Sequence, residues 1–208
     1  MPGLRRPGLT QLAQQRNRTV RHPPTADAHG GRFFVPAIEL PADALVLLVG
    51  IAASGKSTFA ARHFAPTQVL SSDALRAMIT DNPSAQGATD DAFELLHRIL
   101  ELRLRRGRLT VVDATNVEEW ARAELLAVAR RHRRPCVAIV LDLPLAMALE
   151  RNATRAVPRP PPAALRRQHR WLHETLHALP SEGYVAVHHL DSPEAIDAVR
   201  VEVAPRGR

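Results

Sequence analysis

The chain of 208 residues has one cysteine, one tyrosine and one lysine, and aromatic side chains make up only 4% of it. Each shortage removes a class of explanation. A lone thiol, Cys136, cannot close a disulfide within the chain, and its place in the apolar run 136–141 reads as a buried strand residue rather than a nucleophile. So few aromatics leave little for a continuous base-stacking platform. Trp120 and Trp171 fall in amphipathic helical patterns, where packing into the core is the expected role. No apolar run approaches the roughly 20 residues needed to cross a bilayer. Residues 1–24 are Arg-rich and acid-free, yet lack the apolar stretch and small-residue cleavage pattern of an export signal. A soluble, cytoplasmic protein with no membrane partner is expected.

The shortage of lysine is the most informative. Lys56 is the single lysine among 28 basic residues, and it lies in a Gly-rich stretch. There a compact ammonium on a flexible stem can follow phosphates in a way that a planar guanidinium cannot.

The length suits one α/β core and is too short for two ordinary catalytic domains. The formal net charge is +7, and residues 1–32 hold six arginines against the single acid Asp27, so most of the excess lies in that segment. It is rich in Pro, Gly, Gln and Arg without apolar periodicity, and is expected to be a disordered basic tail. It reads either as a solvated leader or as an accessory nucleic-acid-binding arm. A catalytic domain over 33–203 and a short tail over 204–208 complete the expected organisation. Basic clusters at 103–108 and 130–134 fall at predicted helix ends, where cations favour the helix dipole.

From about residue 32 apolar runs alternate with longer helical patterns, the signature of βαβ units. Strands are expected at 44–49, 68–71, 109–112, 136–141 and 184–190, with a further one possible at 199–203. Helices are expected at 55–63, after Ser72 or Asp73 as a cap, and at 90–106, 118–132, 144–155, 163–179 and 193–198. The fold class is therefore α/β: a three-layer P-loop NTPase or kinase sandwich around a five-stranded parallel sheet of order 2-3-1-4-5, with a helical lid over 151–179.

Residues 50–57, Gly-Ile-Ala-Ala-Ser-Gly-Lys-Ser, satisfy the pattern G-x-x-x-x-G-K-[ST] between a predicted strand and a predicted helix. Gly50 and Gly55 let backbone amides turn towards phosphates, with Ser54 between them. The helix N-terminus adds positive potential, Lys56 reaches the outer phosphates and Ser57 ligates Mg2+. A P-loop alone means nucleotide binding, so other residues must choose among kinases, GTPases and motors. Asp73 and Arg76 stand one helical turn apart after the second strand. They read either as a general base beside an acceptor clamp, or as a helix cap with its own ion pair. Asp113 ends the third strand, either as a Walker-B-like carboxylate for the metal or as a cap of the next helix. Arg151, Arg155 and Arg159 recur every four residues before a proline-broken segment, as phosphate-neutralising lid residues or as a solvated basic helix end. His169, His173 and His177 share one helix face, but no further ligand is suggested, so a metal there is not expected.

With these residues in hand, the chain resembles the kinase module of the bacterial polynucleotide kinase-phosphatase RNA-repair family, within the P-loop kinase superfamily. The strings that carry the likeness are Gly55-Lys56-Ser57-Thr58-Phe59-Ala60, Leu70-Ser71-Ser72-Asp73 with Arg76, Asp91-Ala92-Phe93-Glu94, 109–116 ending Asp113-Ala114-Thr115-Asn116, and Glu150-Arg151-Asn152. The resemblance implies that Lys56 and Ser57, with the adjoining Thr58, bind ATP and Mg2+. It implies that Asp73 is the general base, that Arg76 holds the acceptor-strand phosphate, and that Arg151, followed by Arg155, contacts the donor phosphates. The implied reaction is transfer of the ATP γ-phosphate to a 5′-hydroxyl of RNA or DNA. The family's phosphatase and ligase domains are absent here, which leaves room for a separate repair partner. It equally leaves room for a kinase of a small metabolite or sugar nucleotide, like zeta-toxin-like kinases, or for a non-catalytic ATP-binding module.

Overall fold

The computed structural model describes residues 18–21, 37–156 and 159–205. Its centre is β3 (Leu45–Val49), which is buried along its whole length. Alternate residues of that strand serve two separate cores. Leu45, Leu47 and Val49 face one layer, and Val46 and Leu48 face the other. A strand covered on both faces should read as an uninterrupted apolar run, and this one does. β6 (Cys136–Leu141) repeats the pattern beside it.

The remaining core strands are β4 (Val69–Ser71), β5 (Thr110–Asp113) and β7 (Ala186–Leu190). All pair in parallel, and the spatial order β4-β5-β3-β6-β7 is the expected five-stranded core. The connecting helices are α1 (Lys56–His63), α2 (Ser72–Thr80), α3 (Thr89–Arg105), α4 (Glu119–Arg131), α5 (Leu145–Thr154), α6 (Pro162–Ala178) and α7 (Pro193–Ala198). One face of the sheet is covered by α2, α3, α4 and α6 through Leu75, Leu96, Leu100, Leu125, Leu165 and Leu172. The other face is covered by α1 and α7 through Phe59, Ala60, Ala195 and Ile196.

Two pieces depart from expectation. β1 (Arg18–Arg21) adds a sixth, parallel strand at the β7 edge, pairing Arg18 with Ala186 through Arg21 with His189. A disordered tail over 1–32 therefore does not hold for these four residues, and the rest of that segment lies outside the described residues. The reason for the miss is physical: an edge strand joins by main-chain bonds, and Arg-Thr-Val-Arg carries no apolar alternation to announce it. β2 (Ala37–Leu40) and β8 (Arg200–Val203) form a separate two-stranded parallel ribbon that tucks Ile38 and Leu40 under the α1 side.

Helix ends behave as the arginine clusters suggested. Arg103 donates to the Leu109 carbonyl at 2.8 Å, and Arg134 donates to the Leu104 carbonyl at 2.9 Å while pairing with Asp43 at 2.6 Å. Burial pushes the Cys136 thiol up to about 12, as suits an inert strand residue. Among the described residues no helix is long and apolar enough to cross a membrane.

One buried ion pair ties α4 to the segment that follows α6. Arg122 on α4 has no exposed surface. Its Nε donates to Glu182 at 2.8 Å, and Nη2 makes a second, shorter bond to the same carboxylate. Its Nη1 donates to the Asn116 carbonyl at 3.0 Å and the Thr175 hydroxyl at 3.2 Å. Removing one partner leaves the other charge buried and uncompensated. Glu182→Ala should therefore destabilise the fold by about 3–5 kcal/mol, seen as a melting temperature lower by roughly 10 °C in thermal unfolding followed by circular dichroism.

Candidate active site

Parallel strands deliver their following loops to one sheet edge, and the register makes this concrete. Asp113 at the end of β5 is level with Leu48 of β3 on one side and Ser71 of β4 on the other. The loop residues 52–57, Asp113 and Asp73 therefore gather at the same edge, where they line one cleft of about 1620 Å³.

The loop is shaped by its two glycines and wrapped around its lysine. A Cβ on Gly50 would sit 2.7 Å from the Leu141 carbonyl oxygen and 2.8 Å from Ser54 Oγ, and Gly55 has φ +96°. Neither position admits another residue without strain. The Lys56 ammonium donates to the carbonyls of Gly50 at 2.9 Å and Ile51 at 2.8 Å. Burial lowers its pKa to about 8, against the opposing pull of Asp113 and Asp73. Ser54 Oγ is fully buried with no hydrogen-bond partner among the described residues, and Ser57 and Thr58 line the cleft at the start of α1.

Asp113 is nearly buried, and burial raises its pKa while Lys56 and a hydrogen bond from the Ser57 hydroxyl pull it back. It does not cap α4, which starts six residues later without a side-chain cap. Likewise Asp73 does not cap α2: the Ser71 hydroxyl accepts the Ala74 amide at 3.4 Å, instead of the expected Ser72 or Asp73. The Asp73 carboxylate is left to pair closely with Arg76, and Arg155 Nη2 approaches it at 4.0 Å. Arg76 is itself buried, with Nε donating to the Pro83 carbonyl at 3.1 Å.

α5 and α6 reach the same place. Arg151 Nη1 lies 3.7 Å from where a Gly55 Cβ would be. The Arg159 guanidinium turns back to the Arg155 carbonyl at 3.0 Å and so closes the end of α5. From α6, the Gln168 side-chain carbonyl accepts the Ala52 amide at 2.9 Å, joining the lid helix to the loop. His169 and His173 contact each other at 3.1 Å, and among the described residues no cluster of three metal-ligating side chains occurs.

Sequence reasoning missed several of these supports. Asn116 adopts φ +50° and donates to the Leu48 carbonyl at 2.8 Å, holding the loop after Asp113 against the central strand. An Asn beyond a strand end is a common left-handed residue, so a signal was present. Arg122 and Gln168 gave none, because their partners are distant in sequence. Trp120 was expected in the core, yet it is 63% exposed and lines the cleft.

The residues fit a nucleoside triphosphate and its metal. The cradle has no room for a Cβ at Gly50, it contains an orphan hydroxyl, and it presents a buried ammonium beside a hydroxyl–carboxylate pair suited to a hard cation. The fold and this loop define a P-loop nucleotide-binding domain of kinase type. Residues 45–179 match the AAA domain family AAA_33, and the chain belongs to that family. No curated protein sequence matches it. Among solved structures it is similar to a chain of the Pnkp1/Rnl/Hen1 RNA repair complex, with a TM-score of 0.57 and 20% identity over 74% of this chain and 48% of that one. It is also similar to AvrRxo1-ORF1:-ORF2 with ATP, at 0.54 and 16% identity over 68% and 50%. A protein from Chloroflexus aurantiacus, provisionally a kinase, matches at 0.51 and 16% over 70% and 83%. This chain thus spans about half the length of the first two, and at such identities the likeness is one of fold.

With only protein groups around it, Lys56 loses its proton near pH 8, whereas adjacent phosphates favour the charged form. ATP binding should therefore take up a proton between about pH 8 and the ordinary lysine value of 10.5, and affinity should fall as pH rises through that window. Calorimetry of ATP binding at pH 8.5 in buffers of different ionisation enthalpy reads the uptake directly, and Lys56→Met should abolish it.

Proposed function

We propose that this chain is an ATP- and Mg2+-dependent kinase that transfers the γ-phosphate to the 5′-hydroxyl end of RNA or DNA. The observation that carries the phosphotransfer reading is the convergence in one cleft of a donor cradle, a hydroxyl–carboxylate pair for the metal, and a separate carboxylate flanked by arginines.

On this reading Lys56 and the amides of 50–57 hold the donor phosphates, with Arg151 closing over them from the lid. Ser57 and Asp113 would hold Mg2+, which would neutralise charge on the donor phosphates. Asp73 accepts the proton of the attacking hydroxyl as its oxygen bonds to the γ-phosphorus. The bond from that phosphorus to the bridging oxygen breaks, and Lys56 and Arg155 offset the charge that develops on the departing ADP and the transferred group. Arg76 fixes Asp73 and faces the acceptor side, the position from which it could hold a strand phosphate. The sequence strings around Asp73 and Asp113, which resemble those of polynucleotide kinases, favour a polynucleotide acceptor. In this role the chain would work beside a separate repair phosphatase or ligase. The domain that acts is 33–203, with the lid over 151–179.

A second reading, a kinase of a small metabolite, draws on the α3–α4 wall of the cleft. Asp90, Glu94, Glu118 and Glu124 line it and would repel a polyanion that lay along it.

Labelled γ-phosphate should pass from ATP to 5′-hydroxyl oligonucleotides in a Mg2+-dependent assay, and Lys56→Ala should abolish transfer. Asp73→Asn should lower kcat roughly 100-fold or more while sparing ATP binding. Arg76→Ala should raise the KM for the oligonucleotide and flatten its salt dependence. Labelling of small polyols but of no oligonucleotide would move the assignment to the second reading. ATP binding with no transfer to either would leave a nucleotide-binding module.

A further inference from the structure

Among the described residues, the large apolar side chains left in solvent are Met78, Ile79, Leu95, Trp120, Val185 and Val203, and Trp120 is the sole aromatic of that set. Its companion indole behaves differently: Trp171 packs against the core, with the Arg167 guanidinium 5.2 Å from its ring centroid. Trp120 is the second residue of α4, seven residues after Asp113, and it lines the same cleft as Asp73 and the phosphate loop. An indole held open to water inside a catalytic cleft contributes nothing to the core, and its flat face is free to meet a flat ligand.

The surroundings limit what that ligand can be. Phe93 and Ala121 line the same cleft as Trp120, and His97 and Glu124 link α3 to α4 across 4.0 Å. Asp90, Glu94, Glu118 and Glu124 leave this wall with a negative potential, so a phosphate is disfavoured here and an uncharged ring is not. Arg155, Arg159 and Arg167 line the cleft on the lid side, where anionic groups are favoured.

We infer that Trp120 is the platform on which the terminal nucleobase of the acceptor strand stacks, with the strand's phosphates turned away from the acidic wall and towards Arg76. The inference rests on the nucleic-acid reading of the acceptor and adds the group that positions the 5′-nucleoside, one sugar away from the hydroxyl that Asp73 serves. Stacking on a ring face is tolerant of base identity, so the platform demands a base and is indifferent to which.

Trp171→Phe leaves Trp120 as the only indole and keeps an aromatic ring beneath the Arg167 guanidinium. In that variant, with Mg2+ and a non-hydrolysable ATP analogue, a 5′-hydroxyl hexanucleotide should quench Trp120 fluorescence saturably. The same hexanucleotide with an abasic 5′ residue should not. In steady-state transfer, Trp120→Ala should raise the KM for the intact hexanucleotide roughly 10- to 100-fold with a much smaller change in kcat, and Trp120→Phe should restore most of the loss. The melting temperature of Trp120→Ala should match the wild type, because the exposed ring supports no core. Equal quenching by intact and abasic strands, absence of quenching, or an unchanged KM in Trp120→Ala would overturn the platform. Base-dependent quenching without any phosphate transfer would uphold it and sink the kinase assignment instead.

Discussion

The structure turns on one contact: a lysine ammonium buried against the carbonyls of its own loop. Lys56 donates to Gly50 and Ile51, so the loop closes around a positive charge before any phosphate is considered. Burying a charge is unfavourable unless hydrogen bonds and opposite charges offset the lost hydration. Here the carbonyls supply the hydrogen bonds, and Asp113 and Asp73 supply the charge. That requirement agrees with the placing of Asp113 at the end of β5 and of Asp73 in the first turn of α2, both at the sheet edge beside the loop. It also explains why Gly50 has no room for a side chain: the loop must press against the Leu141 carbonyl to complete its turn.

The same constraint spreads outward. Asp113 can stay near Lys56 only if the chain turns sharply after β5, which Asn116 does with a left-handed backbone and a bond to the Leu48 carbonyl. The Asn116 carbonyl in turn receives Arg122, whose remaining bonds reach Glu182 and Thr175 beneath the lid helix. Thr175 donates to the Val117 carbonyl at 2.6 Å. The loop after Asp113 and the C-terminal end of α6 are therefore anchored to one buried polar network. The lid's far contacts, Gln168 on Ala52 and Arg155 towards Asp73, are single and more exposed. On the proposed reading of 151–179 as a lid, its C-terminal end is the part anchored by this network, and the contacts to the loop are the ones that would open.

Legibility followed the range of the forces involved. The core strands could be read because each is a run of apolar residues between breakers, and their order followed from the handedness of βαβ crossovers. The P-loop could be read because its chemistry depends on residues within eight positions of one another. β1 and β2 escaped because four-residue strands at edges carry almost no periodic signal. Trp120 was misplaced because a helical pattern reports which residues share a face and not whether that face meets the core or a cleft. The Ser71 cap differed from the expected one by a single position, yet the shift matters: it releases Asp73 from backbone duty.

That release frames the chemistry of the lid. Asp73 is paired closely with Arg76, which Pro83 holds in place, and only loosely with Arg155 at 4.0 Å. The two arginines are therefore unequal. Arg76 is buried and fixed, so it can orient the carboxylate whatever else is bound, whereas Arg155 is half-buried just beyond the end of α5. On the proposed reading, a hydroxyl arriving at Asp73 competes with Arg155 alone, and the displaced guanidinium has donor phosphates within the same cleft to receive it. Acceptor entry and charge neutralisation at the donor would then be one movement. Lys56 and Arg155 lower the energy of negative charge near the loop in both arrangements, so the exchange leaves no uncompensated charge at either end.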